Sequence, residues 1–475
     1  MSQNADVSVK HTASSSPGKP ANKLGFLSLL SVSVGLVVSQ GVMVMMLHAA
    51  GIAGLSLILP LTLAWLLALS YACSFSELSL MIPRSGSLCS YTEVALGHFP
   101  AIIATFSGYI VVAMFALSAE LLLLDLIIDK IFPGSALPPL SVAAGVLLLF
   151  TLFNLMNIDI FARLQTALAV IMMIVLLVLG ICAITSPQAE SIHSLIEQGS
   201  LAPEGWGWGA VALVATTVWG FVGAEFVCPL IEETKVPQRD IPRAMMIGLT
   251  LIFVTIILYA LGALLVLPRS VLIGDDLPHY LFATKVFGEG GKLLLLAAAI
   301  TATCSTLNSS LATIPRMLSG MSQNGQAFPI FNRHSRNGVP WVAVLFVAAI
   351  TGLPLLLMNA DSISLLLLAA AICWLLAYII THINVIVLRR RYPNLARPFR
   401  TPFYPLPQVL GIVGMLYGIW HASPTSEMAG EVFAVAGGVL AVVAIIGALW
   451  VKLVMRKPLF APEPIEKALN PPHRH

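Results

Sequence analysis

Apolar residues along this chain come in runs long enough to cross a bilayer, not in the narrow stripes of a soluble core. Twelve such runs stand out, near Phe26 to Leu47, Leu55 to Met81, Pro100 to Phe132, Leu140 to Leu155, Leu168 to Ile184, Val211 to Ile231, Ala244 to Leu267, Leu293 to Leu318, Pro340 to Met358, Ser364 to Leu388, Val409 to His421 and Glu431 to Met455. The fourth and eleventh carry the weakest signal. The pattern predicts an all-α polytopic membrane protein with twelve transmembrane helices. Its polar stretches divide the chain into a disordered cytosolic tail (1–23), a first five-helix repeat (24–185), an extracellular loop (186–207), a second five-helix repeat (208–391), helices eleven and twelve (392–456) and a second cytosolic tail (457–475).

Lipid offers no partner to a backbone N–H or C=O, so a spanning helix closes its hydrogen bonds internally. Two runs carry residues that work against this at mid-depth. They are Ser39-Gln40-Gly41 in the first and Gly220-Phe221-Val222-Gly223-Ala224-Glu225 in the sixth. Backbone opened at corresponding places in two repeats of opposite topology predicts discontinuous helices around a polar solute at the bilayer midplane, as in a secondary transporter.

Composition agrees. Hydrophobic residues make up 58% of the chain and charged residues 10%, with mean hydropathy +0.92, which excludes a soluble enzyme of this size. The start is rich in Ser, Lys and Pro and lacks a cleavage-site pattern, so a tail is expected there, not a signal peptide. The six cysteines (Cys73, Cys89, Cys182, Cys228, Cys304, Cys373) lie in or beside apolar runs without metal-ligand spacing; neither a metal nor another cofactor is expected. With the amino terminus placed in the cytoplasm, 21 Lys and Arg fall on inner segments and only Lys130, Arg269, Lys285 and Lys292 on outer ones. This positive-inside bias puts both termini in the cytoplasm, in a bacterial inner membrane. The net charge of +3 thus reports topology, and nucleic acid is not an expected partner.

In that orientation the first helix runs outward. Its outer half begins near Gly41 and Val42, whose free amides suit a carboxylate or another acceptor. The sixth runs inward, and its outer half ends near Thr217 and Val218, whose free carbonyls suit an ammonium group. A zwitterion or a primary amine fits two such opposed ends.

The most specific stretch is Trp219-Gly220-Phe221-Val222-Gly223-Ala224-Glu225, followed by Glu232-Glu233-Thr234-Lys235-Val236-Pro237-Gln238-Arg239-Asp240-Ile241-Pro242-Arg243-Ala244. Supporting it are Glu77 to Pro83 with Ser85-Gly86-Ser87 and Tyr91, and Arg397-Pro398-Phe399-Arg400 with Pro402, Tyr404, Pro405 and Pro407. From Leu24 to about Val454 the chain resembles the amino acid-polyamine-organocation superfamily. The resemblance implies a LeuT-type five-plus-five inverted repeat with two extra helices, and transport of amino acids or related amines by alternating access. Many members carry Gly-Ser-Gly where this chain has Ser39-Gln40-Gly41. Either the ligand lacks an ordinary α-carboxylate or Gln40 turns away from it.

The substrate-contact candidates are Ser39, Gln40, Gly41, Val42, Thr217, Val218, Trp219, Phe221 and Gly223; an interhelical hydrogen bond is the competing role for Gln40. By resemblance Trp219 covers or gates the substrate, and Glu225 couples gating to protonation or holds the two half-helices in register. Intramembrane carboxylates are functional candidates by default, which adds Glu120: either it faces the bundle and attracts a cationic amine, or it lies in an outer vestibule. Glu120 and Asp125 lie about 140° apart around a helix and do not share a face. Glu232 and Glu233, with Lys235, Arg239 and Arg243, are expected to form an ion-pair network closing an inner gate. His48 and His382 are expected to be packing histidines.

For coupling, the eighth run carries Thr301, Thr303, Ser305, Thr306, Asn308, Ser309 and Ser310, and hydroxyls such as Ser309 and Ser310 could complete a sodium site with carbonyls of the broken first helix. The fifth run has no Lys to substitute for sodium. Proton symport or exchange is the default. The expected partners are a small amino acid or amine, the lipid bilayer and a coupling proton or sodium; a homodimer is compatible with the chain. No converging nucleophile, base or metal set points to an enzyme, and no continuous polar stripe points to a channel.

Overall fold

In a computed structural model, residues 23–134, 138–156, 158–196, 211–357, 362–423 and 426–469 are described. The expected first tail up to residue 22, the loop segment 197–210 and the last six residues lie outside them.

The described residues form an all-helical bundle. Its elements are α1 (Phe26–Val37), α2 (Gln40–Ala53), α3 (Ile58–Met81), α4 (Leu88–Ala95), α5 (His98–Ile131), α6 (Ser141–Met156), α7 (Ile158–Ile184), α8 (Val214–Val218), α9 (Pro237–Val266), α10 (Glu289–Gln323), α11 (Trp341–Gly352), α12 (Ile363–Arg391), α13 (Leu406–Trp420), α14 (Ser426–Leu449) and α15 (Ile465–Leu469). Among the described residues eight helical stretches are long and apolar enough to cross a membrane, and four shorter apolar helices accompany them. Two π-type turns, Phe106–Val111 and Ala113–Leu117, sit inside α5.

Expected and observed bounds differ most in the fifth run, which begins at Ile158 and not at Leu168. Asp159, Arg163 and Gln165 make the first turns of α7 look like loop in a hydropathy window, yet Gln165 is fully buried and hydrogen-bonded.

Helix α1 packs on α7, α9 and α10, which places the broken first helix at the centre. Nearly all of the Val214–Glu233 stretch is buried inside the protein and little of Met428–Val454 is, so the sixth segment is central and the last peripheral. Helices α7 and α9 approach backbone to backbone at Gly180 and Gly262; a Cβ on Gly262 would lie 2.8 Å from the Gly180 carbonyl oxygen. Without a hydrophobic drive inside lipid, such small-residue contacts are what let helices pack closely.

One end of the bundle is locked by charge. Glu77, at the end of α3, takes two 2.7 Å hydrogen bonds from Arg389 and one of 2.8 Å from the Thr401 amide, with Arg397 at 3.3 Å. The Arg397-Pro398-Phe399-Arg400 motif therefore closes onto the α3 carboxylate. The segment after α14 docks beside it. The Glu463 amide donates to the Glu93 carbonyl (2.9 Å), the Phe99 amide to the Leu459 carbonyl (3.2 Å), and Arg84 Nε to the Ala468 carbonyl (2.7 Å).

Candidate functional site

Both predicted interruptions exist. The first helix breaks at Val38–Ser39, where both residues are extended, one step earlier than the Ser39-Gln40-Gly41 expectation. Ser39 is an N-cap: its Oγ accepts from the Val42 amide at 3.2 Å. In the sixth segment α8 ends at Val218, a 3₁₀ turn covers Trp219–Phe221, Val222 is extended, and Gly223 has φ +111 before a 3₁₀ helix from Ala224 to Glu233. A Cβ at Gly223 would collide with the Leu36 side chain, so the two breaks touch and only glycine fits.

The structure corrects the expectation of free peptide groups at the first break. The amides at the start of α2 are taken by the protein itself: Gln40 N donates to Glu120 Oε2 at 2.9 Å and Gly41 N to Glu120 Oε1 at 2.8 Å. Positively polarised amides at a helix start hold an anion, and here a carboxylate from α5 fills that place. The second break is capped as well. Tyr71 on α3 donates to the Phe221 carbonyl (2.6 Å) and accepts from Ala224 N (3.4 Å), while Tyr378 on α12 accepts from Gly223 N (2.9 Å). The Thr217 hydroxyl donates within α8 and to the Pro60 carbonyl.

Glu225 is fully buried and accepts from Trp374 Nε1 (2.9 Å) and Tyr378 Oη (2.6 Å). Tyr378 thereby ties the Gly223 amide to the Glu225 carboxylate. Sequence reasoning missed Tyr71, Trp374 and Tyr378. They sit in apolar runs where an aromatic residue looks like packing, and only their polar tips, aimed at opened backbone, mark them.

A cavity of about 30 Å³ lies against both breaks. From the candidate set Ser39, Val42, Glu120, Trp219 and Ser310 line it, with Thr306 and Trp374 added. Gln40, Gly41, Thr217, Val218, Phe221 and Gly223 do not line it. Gln40 turns away: its amide nitrogen donates to the Leu123 carbonyl (3.1 Å) and meets His279 Nε2 (3.3 Å), the interhelical role. The cavity holds about one water's worth of volume, so a metabolite fits only if the surrounding helices move apart. Trp219 stacks edge-on against Trp374 with ring centroids 5.9 Å apart, and its indole N–H has no hydrogen-bond partner.

Of the hydroxyls proposed for an ion, Ser310 lines the cavity and Ser309 Oγ is buried without a partner. Between α1 and α10 a neutral side chain intervenes. Gln165 Nε2 donates to the Ser31 carbonyl (3.2 Å) and to Ser305 Oγ (2.7 Å), and Asn308 and Asn154 continue the network. Among the described residues no group of three His, Cys, Asp or Glu could hold a metal ion.

The expected inner network is rewired. Glu233 pairs with Arg316 on α10 at 3.0 Å, Glu232 accepts from the Ser85 amide (3.1 Å), and Arg239 pairs with its neighbour Asp240. Helix geometry explains the change, because Arg239 starts α9 and points to solvent while Arg316 faces the 3₁₀ helix. Asp125 accepts from Ala143 N, away from Glu120, as the rotation predicts. His382 meets Ser74 Oγ (2.9 Å), and His48 meets the Asp275 carbonyl (3.0 Å).

The family described as amino acid permease matches residues 24–454. Cationic amino acid transporter 4 of Mus musculus is 27% identical over 77% of this chain, which spans 59% of that protein's length. Branched-chain amino acid permease BcaP of Bacillus subtilis is 25% identical over 83% of this chain and 87% of its own. Serine/threonine exchanger SteT of Bacillus subtilis is 23% identical over 86% and 92%.

Proposed function

We propose, for a chain that belongs to the amino acid permease family of the amino acid-polyamine-organocation superfamily, secondary active transport of a small amine-bearing metabolite by alternating access, with amino acids the first class to test. The observation that carries this reading is the meeting of two helix interruptions at one small cavity, with Ser39, Val42, Trp219 and Glu120 on its wall. A small, largely apolar cavity at the meeting of two breaks supports a carrier that opens to one side at a time, where a channel would need a continuous polar path.

The reading includes a five-plus-five inverted repeat of twelve spans and termini in the cytoplasm of a bacterial cell. The Lys and Arg distribution supports that orientation. Relatives named for amino acids support the substrate class, and the serine/threonine exchanger supports exchange as a coupling mode beside proton symport. Gln165 bridges the Ser31 carbonyl and the Ser305 hydroxyl and leaves Ser309 and Ser310 outside that network, so the choice between sodium and the default proton or exchange coupling falls to the uptake test below. Trp219 serves as the gate over the cavity and Glu225 as the coupling carboxylate.

Purified protein in proteoliposomes tests this. Saturable uptake with counterflow, unchanged when sodium is replaced by choline, is the expected result. Ohmic single-channel currents would replace the carrier with a channel.

A further inference from the structure

Glu120 stands where a substrate carboxylate would otherwise sit. Its two oxygens take the Gln40 and Gly41 amides at 2.9 and 2.8 Å, and a Cβ added to Gly41 would lie 2.7 Å from Oε1. The side chain is 2% exposed and comes from the continuous helix α5. Glycine at position 41 is what lets the carboxylate reach the helix start.

The same carboxylate lines the cavity. Around it the wall is apolar apart from Ser39, Thr306, Ser310 and the indole of Trp219, and among the described residues no Lys or Arg contributes to it. Two N–H dipoles stabilise an anion but do not neutralise it. No full positive charge meets this carboxylate, so in its ionised form it is the negative pole of the cavity, and with the Gln40 and Gly41 amides taken no second anion slot is left at the first break.

We infer that Glu120 is the specificity-determining residue of this site, filling the place of an α-carboxylate, and that the ligand is a cationic amine whose carboxylate is absent or masked. This deepens the carrier reading and rests on it. A second carboxylate brought into the cavity would face Glu120 across a few ångströms of apolar wall, whereas an ammonium would pair with it. The unpartnered Trp219 N–H leaves a donor for a neutral acceptor on the ligand, such as a hydroxyl or an amide oxygen. The amine common to amino acids is retained, and the protein supplies the carboxylate.

Matched pairs that differ only in the carboxylate decide this: serine against ethanolamine, ornithine against putrescine, and phenylalanine against phenylalanine amide. Each competes for counterflow in proteoliposomes of the full chain. In the wild type the carboxylate-free member is expected to compete at least tenfold more strongly. Glu120→Gln, which keeps an oxygen for the amides but removes the charge, is expected to cut amine transport tenfold or more without changing the size-exclusion profile. Glu120→Asp, which keeps the charge, retains the preference for amines. A wild type that takes the amino acids tenfold better than their partners, or a Glu120→Gln protein with the wild-type preference for amines, would overturn the assignment and leave the carrier standing. Transport of neither member of any pair would sink the carrier reading and this inference with it.

Discussion

The two interrupted helices solve one problem with different chemistry. At the first break the opened amides are held by an acidic side chain, the carboxyl group of Glu120, delivered from α5. At the second, two neutral phenols, Tyr71 and Tyr378, take the exposed carbonyl and amides, and the nearby charge of Glu225 is one step removed, held by Tyr378 and Trp374. Opened backbone inside a membrane protein is thus not idle while it waits for a solute. A phenol can donate or accept as the helices shift, while a carboxylate only accepts when ionised and imposes a charge on whatever shares its cavity.

The largest effect that would break this contrast is expected at the second break itself. Gly223→Ala puts a side chain at φ +111 and into Leu36, and strain of about 1–3 kcal/mol plus the collision should reduce the yield of monodisperse protein and lower the melting temperature by several degrees. Wild-type yield and melting temperature would show that the breaks do not press together. Next comes Glu225→Gln, which leaves Trp374 and Tyr378 with a weaker acceptor. Transport is expected to fall at least ~10-fold with membrane insertion intact, as for a buried functional carboxylate. Uptake kinetics matching wild type across pH would remove its coupling role.

Tyr71→Phe sharpens the neutral half of the comparison. It strands the Phe221 carbonyl and the Ala224 amide, at a cost of about 1–3 kcal/mol for an unsatisfied buried group, read as a shift in thermal unfolding. A shift no larger than that of an exposed Tyr→Phe change would mean that other groups satisfy the break.

The smallest effect lies outside the membrane, in the docked end of the chain. Glu463 is buried enough to push its carboxyl up, yet hydrogen bonds from Lys457, His98 and Lys467 outweigh that and hold it at about 2, below the ordinary 4.5. A depressed carboxylate gives its stabilisation above its unfolded value and loses it as pH falls through its folded one, so docking should weaken between pH 4.5 and about 2. A spin label at Ala468→Cys is expected to gain mobility over that window; mobility already high at pH 7 would contradict the docking.

The hydrophobic runs alone located the helices, because spanning length and hydropathy follow from what lipid excludes. The two breaks were visible for the same reason, since Ser39, Gly220 and Gly223 are costly at mid-depth unless the backbone is opened there. The family motifs were local and dense enough to place the chain among amino acid permeases.

Partners were another matter. That Arg316 and not Arg239 answers Glu233, that Gln40 turns toward Leu123, and that Tyr71 and Tyr378 cap the second break all depend on which helix faces which. Glu120 shows the limit best. Its sequence position marked it as an intramembrane acid, but its meaning comes from two amides 79 and 80 residues away. Helix formation is a local property of a segment in lipid, while the pairing of buried polar groups is settled only when packed helices bring distant atoms within hydrogen-bond reach.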